Sequence, residues 1–255
     1  MPPEENATTA KQLIMELDTR RASRLPGAAS GTGREDQSRS PAPDNALLDL
    51  AGRGELTADH LRRLVVVEAQ CQRAELAAYG LLTARFPHHR SVGLYAELIR
   101  LIHGAMPALT DCAEALGLSR DDLRTPPQDH RAYAFNGTLS WIALEGSQAA
   151  TALAVHTDLV VYLGGCERLV DAVRAAGPPA PREFLEYYGA GCAPELLARA
   201  EEAVDDGLRR GDDPATALHM AWLLEQSIGQ FWQAAAATSA TSAAPAVPAV
   251  PAVRD

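Results

Sequence analysis

Lysine is almost missing from this chain. It occurs once, at Lys11, in 255 residues; arginine supplies the remaining basic side chains, and acids outnumber bases 33 to 23 for a net charge of −10. That balance excludes a nucleic-acid partner, because the phosphate backbone is held by clustered Lys and Arg. With alanine so abundant, the missing lysine reads as the mark of a GC-rich coding sequence. Cysteine is scarce as well. Cys71, Cys112, Cys166 and Cys192 form no C-x-x-C pair and have no zinc-type spacing to a histidine, so reduced thiols and no metal site are expected. The opening MPPEENATTAKQ has no positive region leading into an apolar run, and no uninterrupted apolar stretch reaches the length a bilayer needs. The expectation is a soluble, cytoplasmic protein with no membrane partner. Sustained strand alternation between hairpin turns is absent too, which excludes a sheet.

What the chain has is helical periodicity. Residues 1–44 hold one weakly amphipathic stretch, KQLIMELDTRRASRL, in which Leu13, Ile14 and Leu17 share a face, followed by a Gly/Ser/Pro-rich linker. A docked or frayed helix plus a linker is expected there. From Asn45 a short helix, a Gly52–Gly54 turn and a long helix follow, the last with Thr57 as N-cap. Leu61, Leu64, Val65, Cys71 and Leu82 stripe one side of it, and Glu68 falls inside that stripe. The spacing of Leu94, Leu98, Leu101 and Ile102 predicts another helix, with a kink or break at Pro107. Tyr133, Phe135 and Trp141 crowd one further short segment. Asp213-Pro214 caps the closing helix, and a Pro/Ala-rich tail over 237–255 has no core-forming power. The sum is an all-α bundle of seven or eight helices over 45–236.

The chain is organised around GSQAATALAVHTDLVVYLGGCERL, Gly146 to Leu169, read as one long apolar helix with a single acid, Asp158, in its middle and Tyr162 one turn later. Burying an ionised carboxylate costs several kcal/mol unless it is hydrogen-bonded or neutralised. Asp158 is therefore either a satisfied structural anchor, the commoner case, or a working group.

Taken in order, these segments resemble the TenA/thiaminase II family, whose fold is haem-oxygenase-like. The resemblance rests on GRGELTADHL at the entry to the long helix, on Asp158, Tyr162 and Cys166 in the central helix, on LEYYG, and on the closing Phe231-Trp232 pair. It implies a pocket lined by Glu68, Cys71, Phe135, Asp158, Tyr162, Tyr188 and Ile228. It also implies that this member has lost the hydrolytic machinery. Asp158 stands where the family has its nucleophilic cysteine, and Ile228 where it has a glutamate, with Glu225 one turn away as partial compensation. Glu68 takes the place of the pyrimidine-gripping acid.

Of the functions this implies, the leading one is a cofactor-independent enzyme of polyketide natural-product biosynthesis, an intramolecular [4+2] cyclase resembling the thiol-less cyclases of neoabyssomicin-like spirotetronates. Such a reaction asks only that a small apolar organic substrate be folded so that its ends meet. Asp158, Tyr162 and Glu68 are the expected catalytic groups. Cys71, Tyr133, Phe135, Trp141, Tyr188, Glu225, Ile228 and Phe231 are the expected substrate contacts, with Tyr133 a further donor to a substrate carbonyl. The alternatives are an aminopyrimidine hydrolase with altered catalytic residues and a non-catalytic ligand-binding or regulatory protein. No cofactor is called for: the E-x-x-H pairs of di-iron relatives are missing, and no histidine is singled out as a haem axial ligand, although adventitious haem binding in an apolar cavity stays open. The resemblance also implies a homo-oligomer, a dimer or tetramer.

Overall fold

A computed structural model describes residues 8–23 and 45–237. The linker and most of the Pro/Ala tail expected from the sequence lie outside the described residues. Those residues are all-α, with no strand among them. The helices are α1 (Ala10–Ala22), α2 (Ala46–Gly52), α3 (Ala58–Arg85), α4 (His89–Ala115), α5 (Arg120–Arg124), a 3-10 turn (His130–Tyr133), α6 (Ala134–Glu145), α7 (Gln148–Asp158), a π-helical turn (Leu159–Leu163), α8 (Gly164–Ala176), α9 (Arg182–Tyr188), α10 (Pro194–Arg209) and α11 (Pro214–Ala236). The count exceeds seven or eight because periodicity does not register one- and two-turn helices.

Every residue of α7 is buried, and α7 lies between α10 and α11. Its alanines permit the close approach, and Gly207 on α10 completes it: a Cβ there would meet the Ala149 backbone nitrogen at 2.5 Å. Gly165 makes room for the Trp232 ring, whereas a Cβ on Gly164 would meet nothing. The N-caps follow their side chains. The Thr57 backbone N–H donates to His60 Nδ1 at 3.0 Å, and Asp213 accepts from the Thr216 N–H at 2.9 Å ahead of Pro214.

Two expectations need correction. The central helix is not one regular α-helix, since a π-turn separates α7 from α8 directly after Asp158. Helix α4 is not broken at Pro107: His103, Gly104 and Pro107 are all exposed, so solvent can take the carbonyl that proline leaves unpaired and the helix runs on to Ala115. By length and composition Gln148–Ala176, a 29-residue helical stretch interrupted by Asp158, could cross a membrane, but 78% of its most apolar window is buried inside the bundle, as in a core helix.

The N-terminal helix α1 docks through Leu13 and Leu17, and the Asp205 carboxylate accepts from the Ala10 N–H at 2.7 Å. Arg21 near its end reaches Glu225 on α11, Nε to Oε2 at 2.8 Å, and Asp18 at 2.6 Å.

Candidate functional site

Helix α3 carries Glu68, Gln72, Glu75 and Tyr79 at intervals of four, three and four residues, so all four share one helical face. That face, α4, the π-turn, and α9 with the segment after it enclose a cavity of about 690 Å³, the size of a drug-like ligand site. Its rim is the exposed edge of α4 and α9, with Leu101, Ala108, Asp111 and Glu186. At its floor are Glu68, Glu75 and Asp158. Leu98, Ile102, Leu159, Leu163 and Leu196 form apolar walls.

Glu68 is held on both oxygens. The Tyr162 hydroxyl donates to Oε2 at 2.6 Å, the Tyr187 hydroxyl approaches Oε1 at 3.3 Å, and Gln72 Nε2 in turn donates to the Tyr187 oxygen at 2.8 Å. The π-turn, which carries Tyr162, begins immediately after Asp158, so both side chains reach the same cavity from one helix. Asp158 is 8% exposed, Glu75 is half-buried with its open side on the cavity, and neither has a hydrogen-bond partner among the described residues.

Burial and mutual repulsion hold protons on this floor. Loss of water pushes Glu68 up to about 7 despite the two tyrosine hydroxyls, which favour its ionised form. Burial and then the Glu68 charge push Asp158 up to about 7. Glu75 is raised well above its ordinary value by burial and by Asp158 and Glu68. Near neutrality the floor therefore presents a carboxylic acid that can donate a proton beside a carboxylate that can accept one. The neighbouring thiols of Cys71 and Cys166 are driven well above the normal thiol range by burial and by these acids, so neither is a thiolate nucleophile.

The fold agrees with that of a solved protein. The X-ray structure of a TenA homologue from Pyrococcus furiosus is similar with a TM-score of 0.62, at 18% identity, over 89% of this chain and 98% of that one. The fold is TenA-like. No family model and no curated protein matches the sequence. Within this TenA-like fold the expected site residues divide into three groups. Asp158, Glu68, Tyr162 and Tyr188 line the cavity. Cys71, Phe135, Ile228 and Phe231 do not; with Glu68, Glu75, Asp158 and Tyr162 they close around a slot of about 20 Å³, room for a single water and none for a ring. The space expected beside Cys71, Phe135 and Ile228 is thus nearly filled, and Glu68, Glu75 and Asp158 line both this slot and the larger cavity.

The third group belongs to neither cavity. Trp141 is 42% exposed on the outer side of α6, because its position on that helix faces away from the bundle. Tyr133, at the end of the 3-10 turn, packs against the core edge and lines neither space. Glu225 is buried but neutralised by Arg21, so it compensates for nothing at Ile228. Sequence reasoning missed Glu75, Gln72 and Tyr187. Gln72 and Glu75 share a helical face with Glu68 and Tyr79, but α3 also carries Asp59, Arg62, Arg63, Gln70 and Arg73, so a polar residue on it does not by itself mark a cavity. The LEYYG resemblance pointed to Tyr188, which lines the cavity, but not to its neighbour Tyr187, whose hydroxyl approaches Glu68.

Among the described residues no set of three or more His, Cys, Asp and Glu side chains is disposed to hold a metal ion. No histidine is among the residues that line the cavity.

Proposed function

We propose that this protein is an enzyme that folds a small organic substrate in the chamber and promotes its intramolecular cyclisation by proton donation and withdrawal at the carboxyl floor, without a thiol nucleophile or cofactor. The observation that carries this reading is Asp158: a carboxyl group 8% exposed, with no hydrogen-bond partner among the described residues, pushed up to about 7, at the floor of a 690 Å³ chamber with apolar walls. A carboxylic acid kept neutral near pH 7 polarises a carbonyl by hydrogen bonding, and a dry wall strengthens that bond. The chamber removes the entropic cost of bringing two ends of one substrate together. Among linear precursors, one with an ionised tetronate head fits least well, because six carboxyl groups line the chamber and no basic side chain does.

A second reading, aminopyrimidine hydrolysis, is favoured by one feature: Glu68 fixed by Tyr162 and Tyr187, as an acid gripping a heterocycle would be. Here Asp158 or Glu75 would activate water. Mass balance separates the readings. Purified protein and its Asp158→Asn variant are incubated with small-molecule extracts and followed by mass spectrometry. Cyclisation gives a new species isomeric with the one consumed, made by the parent and not by the variant. Gain of one water with release of ammonia favours hydrolysis, and a retained ligand with no conversion by either protein makes this a binding protein.

A further inference from the structure

Resting on the reading of the chamber as a substrate site, we propose that its substrate is an organic cation: an amine with an apolar body, whose ammonium group sits at the floor between Glu75 and Asp158 while the body lies along the α4 and π-turn walls. Charge is the first argument. Glu68, Glu75 and Asp158 at the floor and Asp111, Glu183 and Glu186 nearer the rim are the charged side chains of the lining, and no lysine, arginine or histidine joins them. The other titratable groups facing the floor are also not cationic: Cys71 and Tyr79 from α3, Tyr162 and Cys166 from the π-turn and α8, and Tyr187 and Tyr188 from α9.

Hydrogen-bond accounting is the second argument. Glu68 already has its donors, whereas Asp158 and Glu75 turn acceptors to the cavity without any among the described residues. An ammonium carries three donors and no acceptor, which is the complement of two such carboxylates. The tyrosines are the third. Tyr79, Tyr162, Tyr187 and Tyr188 line the chamber, and aromatic faces attract cations, the more so when water is excluded. A cation arriving at the floor replaces the protons that burial and repulsion hold there. A neutral ligand leaves those protons in place, and an anion meets only like charge.

Three probes with one body test this by calorimetry: cyclohexylmethylamine, cyclohexylmethanol and cyclohexaneacetate. At about pH 8 the amine is expected to bind at least about tenfold tighter than the alcohol, and the carboxylate not at all. Lowering the pH to about 6, which protonates the floor, should weaken the amine and leave the alcohol unchanged. The doubly neutralised Glu75→Gln/Asp158→Asn protein, checked for its helical circular dichroism, should bind amine and alcohol alike. An alcohol that binds as tightly as the amine to the parent overturns the cation assignment while leaving the chamber as the substrate site. Binding of none of the three overturns both.

Discussion

A carboxyl group that keeps its proton in the folded chain and loses it in the unfolded one works against folding as the pH rises, and Asp158 is in that position. Its folded pKa is about 7 against an unfolded value of about 3.9. Between those values the native state binds more protons than the unfolded state, so its contribution to stability falls with rising pH, by about 1.4 kcal/mol per pH unit, and levels off above the folded value. Asparagine has no such term. The stability of Asp158→Asn relative to the parent should therefore grow between about pH 4 and 7, measured by urea unfolding. A difference that does not change with pH contradicts a proton-holding Asp158. His156, lowered to about 4 by burial and by Arg21, has the opposite slope, but it is common to both proteins and cancels in the difference. At this scale Asp158 and Glu68 were legible in the sequence because an acid in an apolar stripe stands out. Glu75 was not, since nothing in its neighbours Ala74 and Leu76–Ala78 separates a cavity-facing acid from a solvated one without the opposite helix in place.

The helices were readable because their caps and periodicity are local, and α3 and α11 start where Thr57 and Asp213-Pro214 place them. What local pattern cannot show is which long-range partner completes a buried group. Glu225 looked like a substitute catalytic acid on α11, yet its partner is Arg21, 204 positions away on α1. Helix α1 is weakly amphipathic, and its docking relies on that charge pair as well as on Leu13 and Leu17. Removing one member of a buried ion pair strands the other, at a cost of about 3–5 kcal/mol. Arg21→Ala should lower stability by that order in denaturant unfolding, and the Arg21→Leu/Glu225→Leu pair should recover most of the loss. If Arg21→Ala is neutral, α1 is not held by this pair. The π-turn was equally invisible, because GSQAATALAVHTDLVVYLGG has the composition of an ordinary apolar helix, and the insertion that opens an α-helix into a π-turn leaves no local residue signature.

At the scale of the molecule, a TenA-like bundle holds a small slot and a larger chamber, and four side chains, Glu68, Glu75, Asp158 and Tyr162, line both. The hydrophobic pattern specified the bundle, and the resemblance specified its topology. That Phe135, Ile228 and Phe231 come together and leave only a slot beside these acids is a long-range arrangement, which only the assembled structure shows. The central claim is that the chamber floor is a desolvated carboxyl trio sharing protons near neutrality, and carboxyl-carbon NMR resolves it most directly. In a pH titration of protein labelled at its side-chain carboxyl carbons, Glu68 and Asp158 should have midpoints near 7, with Glu75 also well above the usual carboxylate range. Three ordinary midpoints near 4 would contradict the account, because the floor would then be a wet, fully ionised surface with no proton to give.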